Sequence, residues 1–129
     1  MKRALLLLLL AGCFHPAKLP PDPSGLPPIP RSVETSLGSI PVIWVDSLSD
    51  EQGRPLAGGY HSMQRAIYLR RELTLRVVQW RVLFHEKCHV WVSDSGLDNL
   101  IPPQLVQSIC DASATAQVAE MLAAAKGRP

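Results

Sequence analysis

The sequence predicts an α+β domain in which a small antiparallel or mixed sheet packs on two helices. Three observations support this class. Short β-rich segments occupy the chain before residue 72, a long apolar segment follows them, and a second helical segment closes the chain. Strands and helices that are segregated along the chain are typical of α+β domains. About a hundred residues are enough for one modest hydrophobic core, and therefore for one domain.

The strands are predicted from β-branched and aromatic residues that lie between turn-forming segments. Ile40–Val45 is predicted to be a strand, with Pro41 near its start or on a sheet edge, because proline cannot donate a backbone hydrogen bond. A turn-rich segment, 46–59, follows it. Residues 59–62 and 65–69 are predicted to form two further short strands, the second with alternating apolar and polar side chains.

Two helices are predicted after the strands. The first spans Glu72–Val92, with Thr74 as a candidate cap, and its nearly continuous apolar surface predicts burial in the centre of the domain. The second spans Gln104–Ala125. Pro103 stands at its entrance and Gly127 just beyond its end, and these are the positions that each residue type favours.

The amino terminus predicts export from the cytoplasm. A basic start and a short apolar run end in Leu10-Ala11-Gly12-Cys13. The run is too short to span a bilayer as a mature helix, so residues 1–12 are predicted to be a cleaved signal peptide. The four closing residues resemble the lipobox of bacterial lipoproteins, which implies lipid on Cys13. An ordinary signal peptide or an uncleaved anchor is the alternative.

The lipobox resemblance implies a protein of the bacterial cell envelope that is anchored in the membrane through Cys13. Phe14 follows the cysteine, where aspartate would favour inner-membrane retention, so we expect the outer membrane, facing the periplasm. Residues 13–30 are interpreted as the lipidated cysteine and a proline-rich, semi-rigid linker. Its extended geometry could hold a domain, 31–129, up to roughly 50 Å from the lipid at ~3.1 Å per residue.

The charge balance argues against a nucleic-acid partner. The chain carries 13 basic and 11 acidic residues, and removal of Lys2 and Arg3 with the signal would leave 11 of each. A chain with that balance has no electrostatic footprint for a phosphate backbone. We therefore expect that this protein does not bind nucleic acid.

The most specific motif is an HExxH sequence, His85 to His89, inside the first predicted helix. Positions four apart stack on one helix face, so His85 and His89 can direct their imidazoles at one ion. Glu86 lies about 100° around the helix, where it can reach a metal-bound water and act as a general base. These are the donors and the base of a hydrolytic zinc site. The alternative is a pair of core histidines that hydrogen-bond to the backbone.

The order of a strand, an HExxH helix and a further helix resembles the compact zincin metallopeptidases, and most of all their IrrE/ImmA-like and phage-associated kind. The resemblance covers roughly Ile40 to Ala125. Val82 and Trp91 match the positions that flank the motif in zincins, whereas Lys87 stands where zincins have an uncharged residue. The resemblance implies a bound Zn²⁺ ion and hydrolysis of peptide bonds in a peptide or protein substrate.

A catalytic zinc site needs a third protein ligand. The metzincin pattern fails, because its glycine and third histidine are missing. The gluzincin pattern takes a carboxylate from a following helix, and we predict Asp111 in that role, although the family more often has glutamate near the position of Gln107. Asp98 lies too close to the motif along the chain to fold back easily, and Glu120 is about 180° from Asp111 on the same helix. A solvated or capping role is the alternative for Asp111.

The sequence leaves the roles of two further pairs open, Tyr60 with His61 and Cys88 with Cys110. Tyr60 and His61 are candidates to stabilise the transition state, or else ordinary packing or surface residues. Cys88 and Cys110 are an even pair in an oxidising compartment, which is compatible with a disulfide and equally with two buried free thiols. A disulfide would connect the two predicted helices beside the proposed site.

Three functional hypotheses follow from different classes. The favoured one is a lipid-anchored zinc metallopeptidase. The alternative is a non-catalytic zinc-binding lipoprotein, such as a sensor or an assembly factor. The third is an interaction module in which the motif is coincidental. The sequence specifies neither the substrate nor the oligomeric state.

Overall fold

The computed structural model describes residues 21–128, and it has the α+β order that the sequence predicts. The predicted signal peptide, Cys13 and the first part of the linker lie outside the described residues. The elements are four strands and two long helices with a short 3-10 turn between them: β1 (Ser32–Thr35), β2 (Gly38–Val45), β3 (Gly58–His61), β4 (Ala66–Arg70), α1 (Arg76–Asp94), the turn (Leu97–Asn99) and α2 (Pro103–Lys126).

The four strands form one mixed sheet in the order β1-β2-β4-β3. β2 pairs antiparallel with β1 and parallel with β4, and β3 pairs antiparallel with β4. Strand β1 was not predicted. Gly38 has a φ of 105°, a backbone conformation open to glycine, where the tight turn from β1 enters β2. Pro41 stands opposite Ser32 at the end of this ladder.

The hydrophobic core lies between the sheet and α1, and a second cluster joins α1 to α2. The first cluster includes Ile40, Ile67, Leu69, Leu83 and Val90, and the second Val92, Val106 and Cys110. Helix α1 is less buried than its composition predicts, because Trp91 near its end remains 56% exposed. The helix therefore has one face on the core, and its other side chains are partly accessible.

The helix boundaries match the prediction better at α2 than at α1. Helix α2 begins at Pro103 and ends at Lys126, with Gly127 next, as predicted. Helix α1 begins at Arg76, after Leu75, and no side chain caps it, so the predicted capping role of Thr74 is wrong. Among residues 21–128, neither helix combines the length and the apolar character needed to cross a membrane.

Part of the proline-rich segment packs on the domain before Arg31. Leu26 is only 5% exposed, and Trp80 on α1 donates a hydrogen bond from Nε1 to the carbonyl of Pro27 at 2.8 Å. At Gly25, an added Cβ would lie 3.4 Å from the Cβ of Ala125 on α2. The packed domain therefore begins earlier than the predicted boundary, because a buried leucine and a tryptophan hydrogen bond hold this segment in place.

Gly58 of β3 packs against Val82 of α1, and its replacement by alanine is expected to be destabilising. An added Cβ would overlap Cγ1 of Val82 and lie 3.1 Å from the carbonyl oxygen of Tyr68. Overpacking of this kind costs about 1–3 kcal/mol. We expect urea unfolding to show a loss of that size for Gly58→Ala. Gly127→Ala is the matched control, since its nearest neighbour would be 3.8 Å away. Equal losses in the two variants would contradict this account.

Arg65 connects the end of α1 to two turns of the sheet. Its guanidinium donates to both carboxylate oxygens of Asp94, at 2.7 and 3.3 Å, and to Oγ1 of Thr35 at 3.3 Å. The side chain of Asp94 is only 3% exposed, and the hydrogen bonds from Arg65 lower its pKa. Because folding favours the ionised form, the stabilisation is present above the ordinary aspartate pKa and is lost as the pH falls through the lower folded value.

Asp94→Asn is therefore expected to reduce the free energy of unfolding at pH 7, and the difference from wild type should shrink as the medium becomes acidic. Urea unfolding at several pH values between 7 and 3 would measure it. Asp46→Asn is the matched control, because Asp46 pairs with Arg71 while its side chain is 83% exposed. A loss at Asp94 that does not change with pH would contradict the ionic interpretation.

Candidate metal centre

Helix α1 presents the two motif histidines side by side. The four-residue spacing places them one turn apart on the same face, and their Nε2 atoms lie 3.0 Å apart. The side chain of His85 is 16% exposed. In this arrangement the two rings share a hydrogen bond, in which one Nε2 must donate and the other must accept.

The separation of the two Nε2 atoms suits a single metal ion. Nitrogen ligands lie about 2.0–2.1 Å from zinc, so two of them in a tetrahedral site are about 3.3 Å apart. The distance between the Nε2 atoms of His85 and His89 is 3.0 Å, so it would have to increase by a few tenths of an ångström. Imidazole nitrogen is also a donor that zinc prefers. The histidine pair therefore fits zinc in chemistry and in spacing.

The rest of a ligand set is not assembled around the pair. Within residues 21–128, no group of three or more histidine, cysteine, aspartate or glutamate side chains is arranged to hold a metal ion. The structure thus supplies two converging nitrogens, and a third protein ligand is not preformed beside them.

Asp111 reaches the pair from α2, but it contacts the outer nitrogen of His85. Its Oδ1 lies 3.0 Å from Nδ1 of His85, whereas the nitrogen that faces His89 is Nε2. The two nitrogens of an imidazole point in different directions. The sequence predicts Asp111 as the third ligand beside both histidines, and in the structure its carboxylate lies against the ring nitrogen on the far side of His85.

Glu86 is buried against the edge strand β3, and it is 8% exposed. Burial raises the pKa of its carboxyl group to about 7, while a hydrogen bond from the backbone N–H of Tyr60 acts in the opposite direction. A carboxyl group with a pKa near neutrality is well suited to accept a proton and return it.

The surroundings of His89 favour its neutral form, which is the form that metal binding requires. Burial lowers the pKa of its imidazole, and the neighbouring His85 lowers it further. A hydrogen bond with the side chain of Gln107 and the charge of Asp111 oppose that shift. A neutral imidazole has a free lone pair to offer an ion.

A cleft of about 460 Å³ opens in front of these groups. It lies between β3 and the first turns of α2, and its volume is typical of small-ligand sites. Its lining is partly apolar and partly polar. The apolar side chains are Leu56, Val92, Ile101 and Val106, and the polar ones are His85, Glu86, His89, Asp98 and Gln107, with Tyr60 beside them.

The two predicted stabilisers of the transition state are separated by the geometry of the strand. Tyr60 lines the cleft. His61 is exposed at the end of β3, and its Nδ1 accepts a hydrogen bond from the backbone N–H of Gln64 in the following turn at 3.2 Å. Successive residues of a strand point to opposite faces. Of the two, the structure brings only Tyr60 to the site.

The structure joins Cys88 and Cys110 in a disulfide with a Cα–Cα distance of 5.4 Å. Of the two alternatives that the sequence leaves open, the bridge is the one observed. It connects the residue before His89 to the residue before Asp111. The disulfide therefore fixes the distance between α1 and α2 beside the two side chains.

Asp98 and Gln107 lie at the site, although the sequence did not predict either as a site residue. Asp98 was expected to stay away from the motif, yet the 3-10 turn carries it to the cleft lining. Gln107 contacts His89, one turn before Asp111 on the same face of α2. That spacing of four residues was the available signal for Gln107.

No protein-family model, curated protein or solved structure matches this chain. A function must therefore be inferred from the residues of the cleft and their geometry.

Proposed function

We propose that this chain is a zincin-like, zinc-dependent metallopeptidase in which His85 and His89 hold the ion and Glu86 is the general base. The observation that supports it most is the pair of Nε2 atoms 3.0 Å apart beside a buried carboxyl group with a pKa of about 7. Donors and base of this kind, at the wall of a substrate-sized cleft, are what metal-assisted hydrolysis requires.

In the proposed hydrolysis, the two histidines would hold the zinc ion and Glu86 would transfer the proton. When bound, zinc would lower the pKa of a water molecule at its open position and polarise the peptide carbonyl. Glu86 would accept a proton from the attacking water and return it to the leaving amine nitrogen, so that no net proton is consumed. Burial raises the pKa of this carboxyl group, whereas the backbone N–H of Tyr60 lowers it and so favours the ionised form, which is the form that accepts a proton.

The proposed location is the bacterial envelope, with lipid on Cys13 and the domain facing the periplasm. The lipobox-like Leu10-Ala11-Gly12-Cys13 supports export. The bridge between Cys88 and Cys110 supports an oxidising compartment, because disulfides persist there. The proposed substrate is a peptide or protein of that compartment.

A zinc-binding lipoprotein without turnover is the second candidate, and one observation favours it. Within residues 21–128, no aspartate, glutamate or cysteine is placed to act as a third ligand beside the two histidines. A site with two histidines can bind an ion for sensing or assembly. Stoichiometric zinc without cleavage of any peptide in a mixed library would support this alternative and refute the peptidase proposal.

Zinc binding is tested with two histidine variants. We expect wild-type protein to hold one zinc ion per chain after dialysis, measured by elemental analysis, and His85→Ala to lose it. His61→Ala is the control, because His61 is exposed at the end of β3 and its imidazole contacts the following turn. The same zinc content in all three proteins would exclude the proposed site.

A further inference from the structure

We propose that Asp111 is a positioning residue for His85 and not a ligand of the ion. This inference rests on the proposed function, and it assigns a role that the sequence pattern of zincins does not. Its basis is the contact of 3.0 Å between Oδ1 of Asp111 and Nδ1 of His85. The carboxylate has only acceptor atoms, so the imidazole nitrogen must donate. The contact thus places the proton of a neutral His85 on Nδ1.

The same contact determines the direction of the hydrogen bond between the two histidines. With its proton on Nδ1, His85 has a bare Nε2, which can only accept. His89 must then donate from its own Nε2 across the 3.0 Å that separate the two nitrogens. One continuous chain results, from His89 through His85 to Asp111. A cation would meet a lone pair on Nε2 of His85 that already points at it, whereas His89 would first have to exchange its Nε2 proton for one on Nδ1 through solvent, so that it stays neutral.

The geometry of α2 favours this role over direct ligation. Asp111 is 60% exposed, and its contact is with Nδ1 of His85, whereas the nitrogens that face each other are the two Nε2 atoms. The Cys88–Cys110 bridge fixes the helix spacing one residue away. To bind the ion, the carboxylate would have to leave Nδ1 and pass around the ring of His85. Metal-binding histidines commonly donate their second N–H to a carboxylate, which fixes the tautomer and raises the basicity of the ligand.

The first test measures the tautomer in zinc-free protein, with nitrogen-15 NMR of labelled histidine at about pH 8, above the ordinary histidine pKa of about 6.5. We expect the proton of His85 on Nδ1 and that of His89 on Nε2. In Asp111→Ala, His85 should move its proton to Nε2. Glu120→Ala is the matched control, an exposed carboxylate further along α2. A wild-type His85 protonated on Nε2, or a tautomer unaffected by Asp111→Ala, would overturn the inference.

The second test measures zinc affinity by competition with a chelator. Loss of a positioning carboxylate typically weakens metal binding by about 10- to 100-fold. We expect that loss for Asp111→Ala, with one zinc ion per chain still bound at saturation, and no change for Glu120→Ala. An unchanged affinity, or a complete loss of stoichiometric zinc like that expected for His85→Ala, would contradict a positioning role.

The two tests separate this inference from the proposed function. If wild-type protein binds no zinc, the metallopeptidase proposal fails. The tautomer measurement in the zinc-free protein nevertheless decides whether Asp111 orients His85. If zinc binds and the tautomer does not depend on Asp111, only the positioning role is lost.

Discussion

Glu86→Gln is expected to abolish peptide hydrolysis while zinc remains bound. Glutamine occupies nearly the same volume and can still accept the hydrogen bond that the Tyr60 amide gives to Glu86. It cannot accept a proton from water at neutral pH. Loss of general base catalysis typically reduces kcat by about 10²- to 10⁴-fold. The rate would be measured on a peptide selected from a mixed library, together with the zinc content.

The matched control for this variant is Glu120→Gln, the same change at an exposed position of α2, which should keep full activity. Cleavage by zinc-loaded Glu86→Gln at the wild-type rate would show that another group accepts the proton. Loss of zinc from Glu86→Gln would show that the glutamate has a structural role at the histidine pair.

The same buried carboxyl group makes the zinc-free fold less stable as the pH rises. Burial raises the folded pKa of Glu86 to about 7 from an ordinary value of 4.5, so the folded state binds more protons between these two values. Stability must therefore fall as the pH rises through that window, by about 3 kcal/mol in total. Urea unfolding from pH 4.5 to 7.5 should show this decline in wild type, and a smaller decline in Glu86→Gln. Identical pH profiles would contradict the burial effect.

Replacement of Cys88 and Cys110 by alanine is expected to cause the largest loss of stability. The two cysteines are 22 positions apart, and a bridge that closes a loop of this size contributes about 3 kcal/mol, largely through the unfolded chain. For a domain of about 100 residues, that corresponds to a decrease in Tm of about 10–25 °C. Thermal unfolding of the double variant and wild type would measure it.

A reducing agent provides an independent check of the disulfide. A dithiol should lower the Tm of wild-type protein by a similar amount and should leave the double variant unchanged. Mass mapping of oxidatively prepared, denatured protein should find residues 88 and 110 in one linked peptide pair. Free thiols at both positions would refute the bridge.

The main elements could be predicted because local signals agree with the tertiary structure. Pro103 and Gly127 bracket α2 where the sequence placed it, and the β2 and β4 segments carry the expected β-branched residues. Strand β1 was missed because it is four residues long and mostly polar, so no hydrophobic alternation reveals it. The predicted cap Thr74 failed because α1 begins two residues later.

The positions of site residues on a single helix could be predicted from helix periodicity. Contacts between residues of two different elements could not. The spacing of His85 and His89 on one helix face fixes their convergence, whatever packs against them. The contact of Asp111 with Nδ1 depends on how close α2 lies to α1, which no residue pattern encodes. Tyr60 acts on Glu86 through its backbone N–H. Every residue except proline has such a group, so the side chain at position 60 could not predict this interaction.

The packing of Leu26 on the domain limits how far the domain of the proposed lipoprotein could lie from its lipid anchor. A chain from Cys13 to Pro21 can span at most about 30 Å, at ~3.6 Å per residue. This is well short of the roughly 50 Å that a fully extended proline-rich segment would allow. In the proposed envelope lipoprotein, the domain would therefore be kept closer to the bilayer than the length of the whole proline-rich segment allows.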